Sequence, residues 1–173
     1  MDVNNKFTLN QRPLLLYKQA ILIRPDHVEP HYNLGVVFMK SGLFQEAVEA
    51  YKQAIQVQPD YAAAHYNLGL VYMDSGMYSE AVQAYKQAIL IRPDHVGAHY
   101  NLGLVYASSN MHREALEAFK QVVKVEPDDA GAHYKLGMAY LNLDDANAAL
   151  QEYNTLKNLD TELADKLLNL IHK

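Results

Sequence analysis

The sequence predicts an all-α protein, a solenoid of stacked antiparallel helix hairpins, on three observations. The phrase His31-Tyr32-Asn33-Leu34-Gly35 returns as His65-Tyr66-Asn67-Leu68-Gly69, as His99-Tyr100-Asn101-Leu102-Gly103, and in altered form as His133-Tyr134-Lys135-Leu136-Gly137. Successive copies start at 31, 65, 99 and 133, a constant period of 34 residues. Within each period, apolar residues run at three- and four-residue steps on two separate stretches, the mark of two amphipathic helices. The segment Tyr17 to Val28 also reappears unchanged as Tyr85 to Val96, which points to internal duplication. A single hairpin cannot bury its apolar face, whereas stacked neighbours can.

Taken in order, residues 1–11 are polar, have no apolar leader core and are expected to be a disordered N-terminal segment rather than a secretory signal. Residues 12–27 carry the pattern of a second helix whose first helix is missing, with Pro13 at its expected start, where proline is tolerated. Complete periods follow at 28–61, 62–95, 96–129 and 130–163. The second shows the logic of all four. Leu68, Val71 and Tyr72 form one helical stripe, and Gly76 ends it. Tyr78, Ala81, Val82, Tyr85, Ala88 and Ile89 form the next, and Pro93 closes the period. Residues 164–173 begin another first helix, read as a C-terminal cap.

Composition bounds the function. Half of the 173 residues are apolar, a fifth are charged, and the formal charge is −5. That balance supplies no basic stripe for nucleic acid and no cationic face for an anionic membrane. No cysteine is present, which removes disulfides and thiolate metal sites. The longest apolar runs, such as Leu14-Leu15-Leu16, are too short to cross a bilayer. A cytoplasmic location and no membrane insertion are therefore expected.

The residues that repeat strongly resemble the tetratricopeptide-repeat (TPR) family. In the second period His65, Leu68, Gly69, Tyr72, Ala81, Tyr85, Ala88 and Pro93 stand at the family's characteristic positions 4, 7, 8, 11, 20, 24, 27 and 32. The other periods match similarly, and the fourth departs with Thr161 in place of proline. The resemblance covers roughly residues 12 to 163. It implies a right-handed superhelix, small residues where helices approach closely, and aromatics filling the space between hairpins. It also implies protein or peptide binding on a concave groove lined by first-helix positions 2, 5, 6, 9, 12 and 13.

Those positions hold a tyrosine ladder (Tyr32, Tyr66, Tyr100, Tyr134) and an asparagine ladder that ends in lysine (Asn33, Asn67, Asn101, Lys135). Beside them run Val36, Leu70, Leu104 and Met138, with Met39 and Met73 a turn further on. Asparagine offers a donor and an acceptor to an extended backbone, tyrosine gives rigid contact area with a polar tip, and methionine adapts to varied apolar shapes. The Asn ladder is similar to that in the TPR region of O-linked N-acetylglucosamine transferases, although no transferase domain accompanies it. Another TPR subclass clamps acidic C-termini of chaperones. Of its five clamp positions only Asn67 fits, since Tyr32, Val36, Gly97 and Asn101 hold the rest.

The ladder of His31, His65, His99 and His133 reads as packed side chains near the helix starts. Adjacent hairpins, about 10 Å apart, set its members too far apart to share a zinc ion. His27 with His31 and His95 with His99 have a metal-pair spacing, but no third ligand is spaced to complete either set. No metal or cofactor is expected. Phosphate loops, nucleophile elbows and zinc-protease motifs are all absent from the sequence, so an enzyme is not expected. The expected function is a protein-interaction scaffold that holds a peptide or partner helix in the groove. The alternative is a self-assembling scaffold in which the N-terminal half-repeat (Leu14, Leu15, Leu16, Ile21) pairs head-to-tail with Leu167 and Leu170 of another chain.

Overall fold

The computed structural model describes residues 3–172, with side chains from Arg12 onward. Among the described residues every regular element is an α-helix. The order is α1 (Val3–Ile23), α2 (Val28–Lys40), α3 (Phe44–Val57), α4 (Ala62–Asp74), α5 (Tyr78–Ile91), α6 (Val96–Ser108), α7 (His112–Val125), α8 (Ala130–Leu141), α9 (Ala146–Leu159) and α10 (Thr161–Ile171). The fold class is that of an α-solenoid built from helix hairpins. Packing divides the chain into two compact units, Met1–Pro93 and Asp94–Lys173.

In the first unit, α2 pairs with α3 and α4 with α5, while α3 packs on α4 and α1 on α2. The core joins Ala47, Val48 and Tyr51 of α3 to Leu68 and Val71 of α4 and Ala84 of α5. The pairing within each hairpin depends on one glycine. A β-carbon at Gly35 would lie 2.6 Å from the Tyr51 ring, and one at Gly69 would lie 2.6 Å from the Tyr85 ring. Only a residue without a side chain lets the two backbones close around a fully buried aromatic ring. Tyr51 thus locks its own hairpin as well as meeting the next one.

In the second unit, α6 pairs with α7 and α8 with α9, α7 packs on α8, and α10 covers both α8 and α9. Gly103 meets Phe119 in the same way, at 2.7 Å. Gly137 instead faces Leu167 of α10, at 2.5 Å from the position a β-carbon would take. Leu167 is fully buried and forms a core with Leu156 and Ala164. The turns inside the hairpins use a left-handed residue: Gly42 and Gly76 at φ +73°, then Asn110 at 57° and Asp144 at 59°. Glycine takes that conformation without strain, and asparagine and aspartate are among the few other residues that do so.

The ends depart from the sequence reading. Helix α1 starts at Val3, where a disordered segment over 1–11 was expected, and Met1 and Asp2 lie outside the described residues. Pro13 consequently sits inside the helix rather than at its start. No other proline and no glycine interrupts the run from Val3 to Ile23, so only the missing N–H and the ring of Pro13 oppose its continuity. At the other end α10 begins at Thr161, three residues before 164. With threonine in place of the closing proline, Asp160 ends α9 and starts α10, its Oδ1 accepting from Leu163 N at 3.0 Å.

Candidate functional site

The groove residues predicted from sequence fall on the first helices, and all are half-buried. In the first unit α2 carries Tyr32, Asn33, Val36 and Met39, and α4 carries Tyr66, Asn67, Leu70 and Met73. These two faces are tied together by a hydrogen bond, Asn67 Nδ2 donating to the Tyr32 hydroxyl at 2.9 Å. The Tyr32 ring is held edge-on by Tyr61, with centroids 5.2 Å apart, and tilted against Tyr51 at 5.9 Å. Val36 and Met39 lean on the core cluster around Tyr51. The asparagine therefore uses one amide hydrogen within the chain, and the ring of the tyrosine next to it is packed against two others. A bound ligand would not have to pay again for that order.

Two hydroxyls sit beneath this face. That of Tyr85 donates to the Met73 sulfur at 3.8 Å. That of Tyr51 is buried beside the Asn67 amide without a well-formed hydrogen bond. Burial pushes both phenols well above the ordinary tyrosine range, and neighbouring Tyr32 adds to the shift at Tyr51, as Tyr66 and Asp74 do at Tyr85.

In the second unit α6 carries Tyr100, Asn101 and Leu104, and α8 carries Tyr134, Lys135 and Met138. Tyr100 stands edge-on to Phe119 at 5.8 Å, and burial, with Asp129 nearby, raises its hydroxyl's pKa. Lys135 Nζ lies 6.0 Å from the centroid of the Tyr134 ring.

The histidine ladder has a role that reading it as packing missed. His31 Nε2 donates to the Pro25 carbonyl at 3.0 Å, His65 to Pro59 at 2.9 Å and His133 to Pro127 at 2.8 Å. A carbonyl only accepts, so each Nε2 carries the proton. Each imidazole ties the start of a first helix to the proline that closed the preceding period. The constant six-residue spacing from proline to histidine was the available signal. His133 goes further, with Nδ1 2.6 Å from Glu152 Oε2. With Nε2–H given to Pro127, that contact needs a second proton between ring and carboxylate. His27 precedes α2 and its Nε2 meets the Arg24 guanidinium at 2.9 Å. Among the described residues no three His, Asp or Glu side chains are grouped to hold a metal ion.

The residues proposed for end-to-end pairing are not equivalent. Leu15 and Leu16 are 59% and 63% exposed, and Leu14 and Ile21 are half-buried. Leu167 is inside its own chain and is removed from any intermolecular face, while Leu170 is half-buried. Sequence reading did not include Leu22 and Ile23, the most exposed apolar pair among the described side chains of α1.

Profiles of two repeat families match the chain. One, described as TPR repeat, matches residues 37–76 and 71–110, and the other, Tetratricopeptide repeat, matches 100–162. The chain belongs to the tetratricopeptide-repeat family. No curated protein sequence matches this TPR chain. Among solved structures, a crystal structure of MamA aligns with a TM-score of 0.80 at 26% identity, covering 95% of this chain and 98% of that one. A second crystal structure of MamA protein aligns at 0.79 and 26%, covering 95% and 92%. MamA from residue 41 to its end, from Desulfovibrio magneticus RS-1, aligns at 0.76 with 23% identity, covering 94% and 98%, a likeness of fold. TPR folds are generally non-catalytic, and this chain is, in general terms, a protein-interaction scaffold. Among the described residues no helix is long and apolar enough to cross a membrane.

Proposed function

We propose that the face built by α2 and α4 holds an extended peptide segment of a partner protein. The observation that carries this reading is the Asn67–Tyr32 hydrogen bond, which sets a polar rung in place beside the half-buried Val36, Leu70 and Met73. The Asn67 carbonyl oxygen remains to accept from a peptide N–H, and the tyrosine rings flank it with contact area already ordered. The likeness of the Asn ladder to that of O-linked N-acetylglucosamine transferases supports the same mode, a backbone grip in which side-chain pockets add preference. A random extended-peptide library displayed against the immobilised chain tests it. Selected peptides are expected to lose at least tenfold in affinity with Asn67→Ala and again with Met73→Glu. Peptides that bind both variants as well as the parent would sink the groove assignment.

A second reading is favoured by the exposed Leu15, Leu16, Leu22 and Ile23, a face of α1 that resembles an interface without its cover. Under it the chain self-associates through α1. The partner surface is then not α10. With Leu167 buried in its own chain, that helix would present Ile171 at the position where hairpins need glycine. Light scattering over a dilution series distinguishes this reading from a monomer.

A further inference from the structure

The first unit carries two exposed apolar surfaces that agree in spacing and are opposite in charge. One is the uncovered strip of α1. Leu15 and Leu22 are seven residues apart, as are Leu16 and Ile23. Each pair therefore lies along nearly one line of the helix, its members about 10.5 Å apart. All four side chains are exposed. The strip is also cationic. From residue 3 to residue 25 the sequence has Lys6, Arg12, Lys18 and Arg24 and no acid, in a chain whose net charge is −5.

The other surface is the edge made by the turns inside the hairpins. Leu43 and Phe44 stand there in the first hairpin and Met77 and Tyr78 in the second, and all four are exposed. Leu43 and Met77 are the N-cap residues of α3 and α5, and neither side chain caps its helix. The fourth hairpin shows the alternative, with Asp145 Oδ1 accepting from Ala148 N at 3.0 Å to cap α9. An apolar N-cap gives up that acceptor and places a large side chain in water as well. Two such residues in consecutive hairpins make a surface that local stability does not explain. The third hairpin keeps Met111 but follows it with His112, so the apolar doublet is complete only in the first two. Around these doublets stand exposed Glu46, Asp74 and Glu80, against one lysine, Lys40.

We propose that the α1 strip of one chain packs on this turn edge of a second copy. One hairpin step is about 10 Å, so Leu15 and Leu22 meet successive turns, with Leu16 and Ile23 beside them. Arg12, Lys18 and Arg24 then come within reach of Glu46, Asp74 and Glu80, and the charges fix which surfaces meet. Each chain has one strip and one edge, so the contact is heterologous and adds copies head to tail. The inference rests on the self-association reading and names the surface that α1 finds.

Light scattering of the full chain over a dilution series tests it, with the parent mass expected to rise with concentration. The edge variant Leu43→Asn with Met77→Asn is expected to be a monomer. Its thermal melt should lie at or above the parent's, because asparagine restores an N-cap. The strip variant Leu16→Glu with Leu22→Glu is expected to be a monomer too. Mixed in equal amounts, the two should form a 1:1 dimer, since one brings an intact strip and the other an intact edge. Glu46→Lys with Glu80→Lys should weaken association at least tenfold. An edge variant that associates as the parent does, a mixture that stays monomeric, or full association of the Glu46→Lys, Glu80→Lys chain would overturn the proposal. In the first of these cases α1 pairs with another surface, such as a second α1, and the self-association reading stands. A parent that is monomeric at every concentration would retire both and leave the strip and the edge to partners of other chemistry.

Discussion

Tyr51, Tyr85 and Phe119 occupy one repeat position, and the differences among them say what that position requires. All three are fully buried rings set against a glycine. What the site needs is the ring and the absence of a β-carbon opposite it. Gly69→Ala is therefore expected to destabilise by about 1–3 kcal/mol, since the ring and both backbones are boxed in, as read by urea denaturation. A loss below the error of the measurement would mean the hairpin closes less tightly than these distances indicate. The hydroxyl is dispensable, as Phe119 already illustrates. Tyr51→Phe removes a buried group that lacks a good partner, so stability at neutral pH should stay level or rise by up to about 1 kcal/mol.

The same hydroxyls predict an alkaline weakness. Burial holds the folded-state pKa of Tyr51 and Tyr85 above the ordinary value of 10.0. Below that value both states keep the proton and stability is complete. As pH rises through it the unfolded chain ionises first and the folded chain stays neutral, so stability falls. The double change Tyr51→Phe and Tyr85→Phe should shift the alkaline unfolding midpoint upward. An unshifted midpoint in circular dichroism would assign alkaline unfolding to other groups.

Among the elements, α1 and α5 form a natural control, because Tyr17–Ile23 and Tyr85–Ile91 have one sequence in two settings. Tyr85 and Ala88 are fully buried against α4, whereas Tyr17 and Ala20 remain half-exposed. Amide hydrogen exchange should therefore be faster in α1 than in α5, since opening a helix end exposes less apolar surface when less was covered. Equal protection would mean that α1 is covered in solution as fully as α5. The intra-hairpin turns make a second comparison. Gly76→Ala should cost about 1–2 kcal/mol by placing a β-carbon at φ +73°. Gly76→Asn should cost much less, since Asn110 already occupies the same place at φ 57°. A pair of equal losses in thermal melts would point to something other than the backbone angle.

These elements also mark how far the sequence could be read. Hairpin positions followed from period and stripe because each was repeated four times, and a four-fold pattern averages out local exceptions. The ends were harder. Nothing in residues 3–11 displays an amphipathic stripe, yet the absence of breakers allows α1 to run through them and across Pro13. The start of α10 depends on Asp160 acting as terminator and cap together, a double role that spacing does not reveal. At the candidate site, the Tyr and Asn ladders were legible as surface positions. Their mutual hydrogen bond was not, because it joins residues 35 apart whose rotamers depend on Tyr61 and Tyr51.

For the whole molecule the open quantity is its state of association. Leu22 and Ile23 are 84% and 79% exposed, next to Leu15 and Leu16 on the same helix. Under the self-association reading, mass by light scattering rises with concentration, and Leu16→Lys combined with Leu22→Lys returns it to that of a monomer of 19.6 kDa. Those two changes should alter folding stability by no more than about 0.5 kcal/mol each, since both sites are solvated. A constant monomer mass in the parent chain would retire that reading and leave peptide capture alone.

The glycine and the ring that locks it lie 16 residues apart inside one hairpin, as with Gly35 and Tyr51 or Gly69 and Tyr85. Any genetic event that copies or removes a whole period therefore carries lock and key together and strands neither. A break between the two leaves a ring without its glycine. Chains of this kind lengthen and shorten in units of one hairpin, and the untouched copy of Tyr17–Val28 at Tyr85–Val96 preserves the imprint of one such event.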